Sequence, residues 1–179
     1  MCITQSERLL YRKLEENDFD ELKIMLADPK VMYAWEHVFS DKQIREWIKK
    51  QREYYRQDGI GYLAAVDKSS GEMVGQIGLH RFSYNNETAY EVCYMLKYQY
   101  FHQGYASEGV RAMMDYAFVK LGIPAVYAQI KTNNAASIRV AERAGFIKQS
   151  VFSKHYNGKD MPHYLYIKNG KPMQLLNNQ

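Results

Sequence analysis

Two short segments of this chain carry residue types at spacings that suit chemistry. Residues 101–107 read Phe-His-Gln-Gly-Tyr-Ala-Ser and lie between an apolar run and the most regular amphipathic stretch of the sequence. At a helix start the first N–H groups lack partners and the helix dipole presents its positive end, so such a loop suits an anion. Gly104 and Ala106 are small enough to let a bulky anion approach the main chain. A pyrophosphate is the natural ligand of such a nest, although a glycine before a helix also serves a plain turn. The second segment, residues 134–146, opens on Asn134 and closes on Gly145-Phe146. Asn134 suits an N-cap, Gly145 suits a C-cap, and Ser137 stands at the third helical position. Other chemistries have less behind them. His37, His80, His102, His155 and His163 show no metal-ligand spacing, and there is no G-x-x-x-x-G-K run. Cys93 lies in an apolar strand pattern, where a cysteine is ordinarily a small buried hydrophobe.

The elements that must position these segments follow from periodicity. Residues 9–14 read as a strand, and Asn17 offers a cap for a helix with Phe19, Leu22, Met25 and Leu26 on one face. Asp28-Pro29 ends it, because the residue before a proline is pushed out of the helical region. Ser40 and Gln43 form a capping-box pattern for a second helix, whose stripe is Ile44, Trp47, Ile48 and Tyr55 and whose end is Asp58-Gly59. The period then becomes strand-like. Residues 62–66, 73–82 and 89–96 are strands joined by turns at 68–71 and 84–87, which makes them antiparallel hairpins. Val110, Met113, Met114, Ala117, Phe118 and Leu121 form one helical stripe fit to lie on a sheet, stopped by Gly122-Ile123-Pro124. Residues 125–131, 146–152 and 163–167 complete the strands, and the polar tail after Asn169 is expected to fray. The order β-α-α-β-β-β-α-β-α-β-β is an α+β fold in a single domain over residues 1–179. It predicts a mixed, mainly antiparallel sheet of about seven strands with helices on both faces. The strand–helix–strand unit around Gly104 should be a right-handed parallel crossover.

In order and separation, the strand from Glu91 to Leu96, the loop with Gly104 and Ala106, and the helix ending in Gly145-Phe146 resemble the GNAT superfamily of acyl-coenzyme A-dependent N-acetyltransferases. The likeness extends through ERLLYRKLEENDFDEL, VGQIGLHRF, AYEVCYML, HQGYASEGVRAMMDYAF and NNAASIRVAERAGF. From about Arg8 to about Lys168 the chain is similar to the ribosomal-protein-alanine acetyltransferase (Rim-type) branch. The resemblance implies that main-chain groups of Tyr94, Met95 and Leu96 bond the pantetheine arm of acetyl-coenzyme A like an added strand. It implies that N–H groups of His102, Gln103, Gly104, Tyr105, Ala106 and Ser107 hold the pyrophosphate. Asn134 would contact the pantetheine or the neighbouring strand, and Ser137 would lie near the thioester sulfur as a proton donor. Two positions depart from the pattern. Phe101 stands where the superfamily loop often opens with Gln or Arg, a change that main-chain phosphate binding should survive. Ala141 stands where many members carry a tyrosine general acid, which leaves Ser137 as the candidate.

The implied reaction is direct transfer of an acetyl group from acetyl-coenzyme A to a primary amine, on a protein N-terminus or a small molecule, with no metal. An ammonium has a pKa of about 8 at an α-amino group and about 10.4 on lysine, so a base must remove a proton first. Glu91 is the candidate base, on the strand leading to the cofactor and on the face of Cys93 and Met95. A backbone N–H near Met95 would meet the oxyanion. A regulatory domain that binds acyl-coenzyme A without catalysis would keep the loop and Asn134 but need neither Ser137 nor Glu91.

Composition narrows the remaining classes. The 179 residues, 46% hydrophobic and 25% charged, are an ordinary balance for a folded domain with a core. The net charge of +4 is spread through mixed runs such as EENDFDELK and IREWIKKQREYYR, unlike the concentrated patch of a nucleic-acid binder. The 16 tyrosines suit half-buried strand and groove positions. Cys2 and Cys93 make no disulfide framework, which favours a reducing cytoplasm. MCITQSERLL is not a secretory signal, and no apolar run nears the ~20 residues of a membrane span. The expectation is a cytoplasmic protein with neither nucleic acid nor membrane as partner, and with monomer or homodimer left open.

Overall fold

The computed structural model describes residues 2–156 and 158–170, so the tail from residue 171 onward, expected to fray, lies outside the described residues. Eight strands form one sheet: β1 (Cys2–Gln5), β2 (Leu9–Lys13), β3 (Tyr62–Asp67), β4 (Met73–Tyr84), β5 (Glu87–Leu96), β6 (Ala125–Lys131), β7 (Ile147–Tyr156) and β8 (Lys159–Asn169). They lie in the order β1-β2-β3-β4-β5-β6-β8-β7. Every neighbouring pair is antiparallel except β5–β6, the parallel crossover expected around Gly104. The helices are α1 (Phe19–Leu26), α2 (Asp41–Gln57), α3 (Tyr105–Asp115) and α4 (Ala135–Arg143). Among the described residues no helix is long and apolar enough to cross a membrane.

Alternation along β3 shows how the two faces are covered. Tyr62, Ala64 and Val66 join Leu22, Met25, Ile44 and Ile48 of α1 and α2 in one buried cluster. Leu63 and Ala65 join Val110, Met113, Ala117 and Ala141, from the α3 and α4 segments, in the other. A strand with helices on both faces reads as a continuous apolar run, as Tyr-Leu-Ala-Ala-Val does.

Four local expectations are corrected. The extra strand is β1, a four-residue edge whose register slips between Cys2 and Thr4, too short to show a period. Asn17 does not cap α1. Asp18 takes that corner instead, accepting from the Glu15 N–H (2.8 Å) and from the Arg12 guanidinium (2.8 and 2.7 Å). β8 begins earlier than the apolar run, because Pro162 is tolerated where only β7 pairs with the strand and the β6 ladder has not begun. After α3 the helix passes into a π turn, Tyr116–Lys120, which rotates the expected stripe and leaves Leu121 exposed.

Two backbone features set up the site. The β4–β5 ladder runs without a bulge from Gly75↔Leu96 to Tyr84↔Glu87, so Glu91, Cys93 and Met95 do share a face. The β5–β6 ladder is a single pair, Glu91↔Tyr127, so the rest of β5 toward Leu96 has no β6 partner. Gly78 permits the close approach of β3 and β4 beneath this region. A Cβ there would strike the Gly61 carbonyl oxygen and stand 2.7 Å from the Tyr62 Cα. Gly78→Ala should therefore cost about 1–3 kcal/mol, or more if the backbone cannot shift. Thermal melting checks this, and an unchanged midpoint would show that the two strands can separate locally.

Candidate active site

The loop before α3 holds two left-handed residues, His102 (φ 62°) and Gly104 (φ 83°). Gly104 is the helix N-cap, with no side-chain cap. The Glu108 N–H donates to the Gly104 carbonyl (3.0 Å), which leaves the N–H groups of Tyr105, Ala106 and Ser107 without helical partners. Space for an anion was the expected reason for glycine here. The structure adds another, since φ is left-handed, a conformation that L side chains rarely adopt. Arg8 clamps the loop: its Nε donates to Glu108 (2.7 Å), its Nη1 donates to the Gln103 carbonyl (3.1 Å), and its guanidinium lies 4.1 Å from the Tyr105 ring centre. The Ser6 hydroxyl donates to the same Glu108 carboxylate (2.7 Å).

Beyond the loop lies a cleft of about 420 Å³. Met95, Leu96, His102, Gly104, Tyr105, Ala106 and Ser107 line it, with Arg139 and Arg143 from α4. No carboxylate lines it among the described residues. Gln103 stands apart from the other loop candidates: its side chain donates back to the Gln99 carbonyl (2.7 Å) and does not line the cleft.

The cleft meets a second cavity at the start of α4. Asn134 Oδ1 accepts from the Ser137 N–H (3.1 Å), as an N-cap should, and from the Tyr33 hydroxyl (2.6 Å). The Tyr94 hydroxyl donates to the Ser137 carbonyl (3.0 Å), and burial raises that phenol above its ordinary range, which keeps it protonated. Tyr94, Asn134, Ser137, Ala34 and Trp35 line both this cleft and that second cavity.

The second cavity, of about 590 Å³, is walled by aromatic rings. Trp35 packs edge-on against Phe39, Trp47 and Tyr156 with centroids 6.0, 6.1 and 5.6 Å away. Glu91 lies half-buried in its wall, opposite His80 across the ladder. Burial raises the Glu91 carboxyl above the usual glutamate range, while Lys154 and the Cys93 thiol act in the opposite direction. Cys93 packs against the core cluster of α1 and α2, as a small hydrophobe should. It is half-buried in this cavity wall, its thiol pushed well up by burial and so held neutral. His80 is pushed down to about 4 by burial and by Lys50 and Lys154, so its ring is neutral near pH 7. Gln51 of α2 is fully buried, and its Oε1 accepts from the Tyr62 N–H (3.0 Å).

The structure thus places Tyr94, Asn134 and Ser137 where the two cavities meet, Glu91 in the wall of the second cavity only, and His102 with residues 104–107 along the cleft. Arg8, Arg139, Trp35, Gln51 and Lys154 escaped sequence reading. Gln51 alone left a signal, as a polar residue between Ile48 and Tyr55 on the buried stripe of α2.

Residues 8–147 match the family model for the acetyltransferase (GNAT) domain. The chain is 33% identical over 141 residues to the protein YkkB of Bacillus subtilis (strain 168), covering 78% of this chain and 82% of that protein. The crystal structure of an acetyltransferase (GNAT family) from Bacillus anthracis superposes with a TM-score of 0.78 at 26% identity, over 93% of this chain and 97% of that one. RimL, a ribosomal L7/L12 alpha-N-protein acetyltransferase solved in complex with coenzyme A, shares the fold with a TM-score of 0.77 at 20% identity, over 95% and 98% of the chains.

Proposed function

The chain belongs to the GNAT acetyltransferase family, and from that premise we propose that it moves an acetyl group from acetyl-coenzyme A to a primary amine by direct transfer in a ternary complex. The acceptor is a protein N-terminus or a small molecule, and the setting is the cytoplasm. The observation that carries the reading is a junction: a cleft without carboxylates meets, at Ser137, an aromatic cavity that holds the Glu91 carboxyl. The likeness of the sequence motifs from about Arg8 to about Lys168 to the Rim-type branch supports a place in that branch.

The residues of the cleft fit a polyanionic thioester. The free N–H groups at the start of α3, with Arg139 and Arg143, would take the phosphates. The unpaired edge of β5 at Tyr94, Met95 and Leu96 would bond the pantetheine amides. Acetyl-coenzyme A supplies an acetyl group already activated on sulfur. Glu91 takes the proton of the acceptor ammonium, directly or through one water, and Ser137 Oγ gives a proton to the departing sulfur. A main-chain N–H near Met95 steadies the carbonyl oxygen as its charge grows. A domain that only bound acyl-coenzyme A would need no carboxyl in the second cavity, so Glu91 favours the enzyme.

Acetyl-coenzyme A should raise the melting temperature of the wild-type protein by binding the folded state. Gly104→Val, which forces a β-branched residue into φ 83°, should abolish the shift. Arg139→Ala with Arg143→Ala should reduce it without disturbing the fold, since both side chains lie at the cleft. An unchanged shift in Gly104→Val would remove this loop from the site, and no release of coenzyme A thiol with any amine would remove the transferase reading.

A further inference from the structure

Several polar groups of the aromatic cavity are not used by proton transfer. Gln51 has no exposed surface, and among the described residues its Nε2 has no hydrogen-bond partner. A buried donor left unpaired is costly, so this amide is poised for an acceptor oxygen that the described residues do not provide. His80 Nε2 also lies buried without a partner in the same wall.

The charges point the same way. Lys50, Lys131 and Lys154 line the cavity against Glu91 alone. Lys131 is paired with Glu36, which also reaches Lys159 (3.3 Å). Lys50 and Lys154 have no carboxylate within ion-pair distance among the described residues. Their field is felt inside, since it helps lower His80, and Lys154 with Lys131 acts likewise on His163. The aromatic rings would welcome one cation, but a second cation on the same molecule would meet these lysines.

Building on the transferase reading, we propose that the acceptor is an amine that also carries an anionic oxygen group, a carboxylate or a phosphate, on an apolar or aromatic body. The amine meets Glu91, the body lies among Trp35, Trp47 and Tyr62, and the anion lies toward Lys50 and Lys154 with the Gln51 amide as donor. Lys154 and Lys50 are then specificity-determining residues, and Lys154 also bears on the Glu91 carboxyl.

The test compares acceptors that share an amine and differ in the anion: glycyl-phenylalanine against its C-terminal amide, and O-phosphotyramine against tyramine, with spermidine as a polycation. The anionic member of at least one pair should show a kcat/KM about tenfold higher, or more. The pair that discriminates identifies the carboxylate or the phosphate as the group read. In Lys154→Met, and further in Lys154→Met with Lys50→Met, that ratio should fall toward one. The ratio within a pair cancels any change in Glu91, and both lysines are exposed, so an intact acetyl-coenzyme A melting shift will report a folded variant. Equal rates within both pairs, a preference for spermidine, or an unchanged ratio in the lysine variants overturns this inference alone. Transfer to none of the five acceptors, despite a melting shift with acetyl-coenzyme A, overturns the transferase reading and this inference with it.

Discussion

Ser137→Ala is expected to lower kcat for amine acetylation by ~10²–10⁴-fold, the usual contribution of one positioned proton donor. The affinity for acetyl-coenzyme A should stay near the wild-type value. The structure makes this a clean substitution. The structural duties of the residue fall on its main chain, whose N–H bonds Asn134 and whose carbonyl accepts from Tyr94. Alanine keeps both groups and is the better helix former. A leaving-group donor acts in the transition state, so its loss appears in kcat. Steady-state kinetics alongside the acetyl-coenzyme A melting shift separate the possibilities. A change confined to the KM for acetyl-coenzyme A would make Ser137 a binding residue only.

Glu91→Gln should cost a comparable factor near neutral pH and recover part of it at high pH, where free amine is abundant. Only the ionised carboxylate accepts a proton. Because burial raises its pKa, the rising limb of kcat/KM against pH should lie above the ordinary glutamate value of about 4.3. The acceptor amine can produce a similar limb. An acceptor of lower amine pKa shifts the limb if the amine titrates, and leaves it in place if Glu91 does. Stability gives an independent sign. A carboxyl raised in the folded state stabilises the fold while protonated and loses that contribution as pH rises through the folded pKa. Glutamine removes the ionisation, so the variant should melt no lower than wild type at neutral pH. A flat ratio of variant to wild-type activity across pH would take Glu91 out of the mechanism.

What could be read from the sequence was local. Ser40 and Gln43 do form a capping box, with the Ser40 N–H donating to Gln43 Oε1 (2.8 Å), and Asn134 does cap α4. The hairpin turn at Asn85-Asn86 takes the left-handed angles, 52° and 64°, that two asparagines tolerate. Strand parity placed Glu91 and Cys93 on one face because no bulge interrupts the ladder. What remained hidden depends on pairs far apart in the chain. Arg8 grips Gln103 and Glu108 across about a hundred residues, and nothing in ERLL announces that reach. Trp35 and Phe39 sit in the connection between α1 and α2, where no period exists to assign them a direction. Lys154 and Lys50 come together only when β7 and α2 close on the same cavity. Long-range charge balance has no local signature.

Among the described residues, five border both cavities, and each of the other wall residues serves one side. In the proposed reading the donor side is the cleft built largely by α3, α4 and the loop between β5 and α3, and the acceptor side is the cavity that draws on α2 and the β7–β8 hairpin. On that reading, substitutions at Phe39, Tyr54, Lys154 or Tyr156 should change acceptor preference and leave the acetyl-coenzyme A melting shift in place. Grafting α2 together with residues 147–169 from a relative should shift acceptor preference.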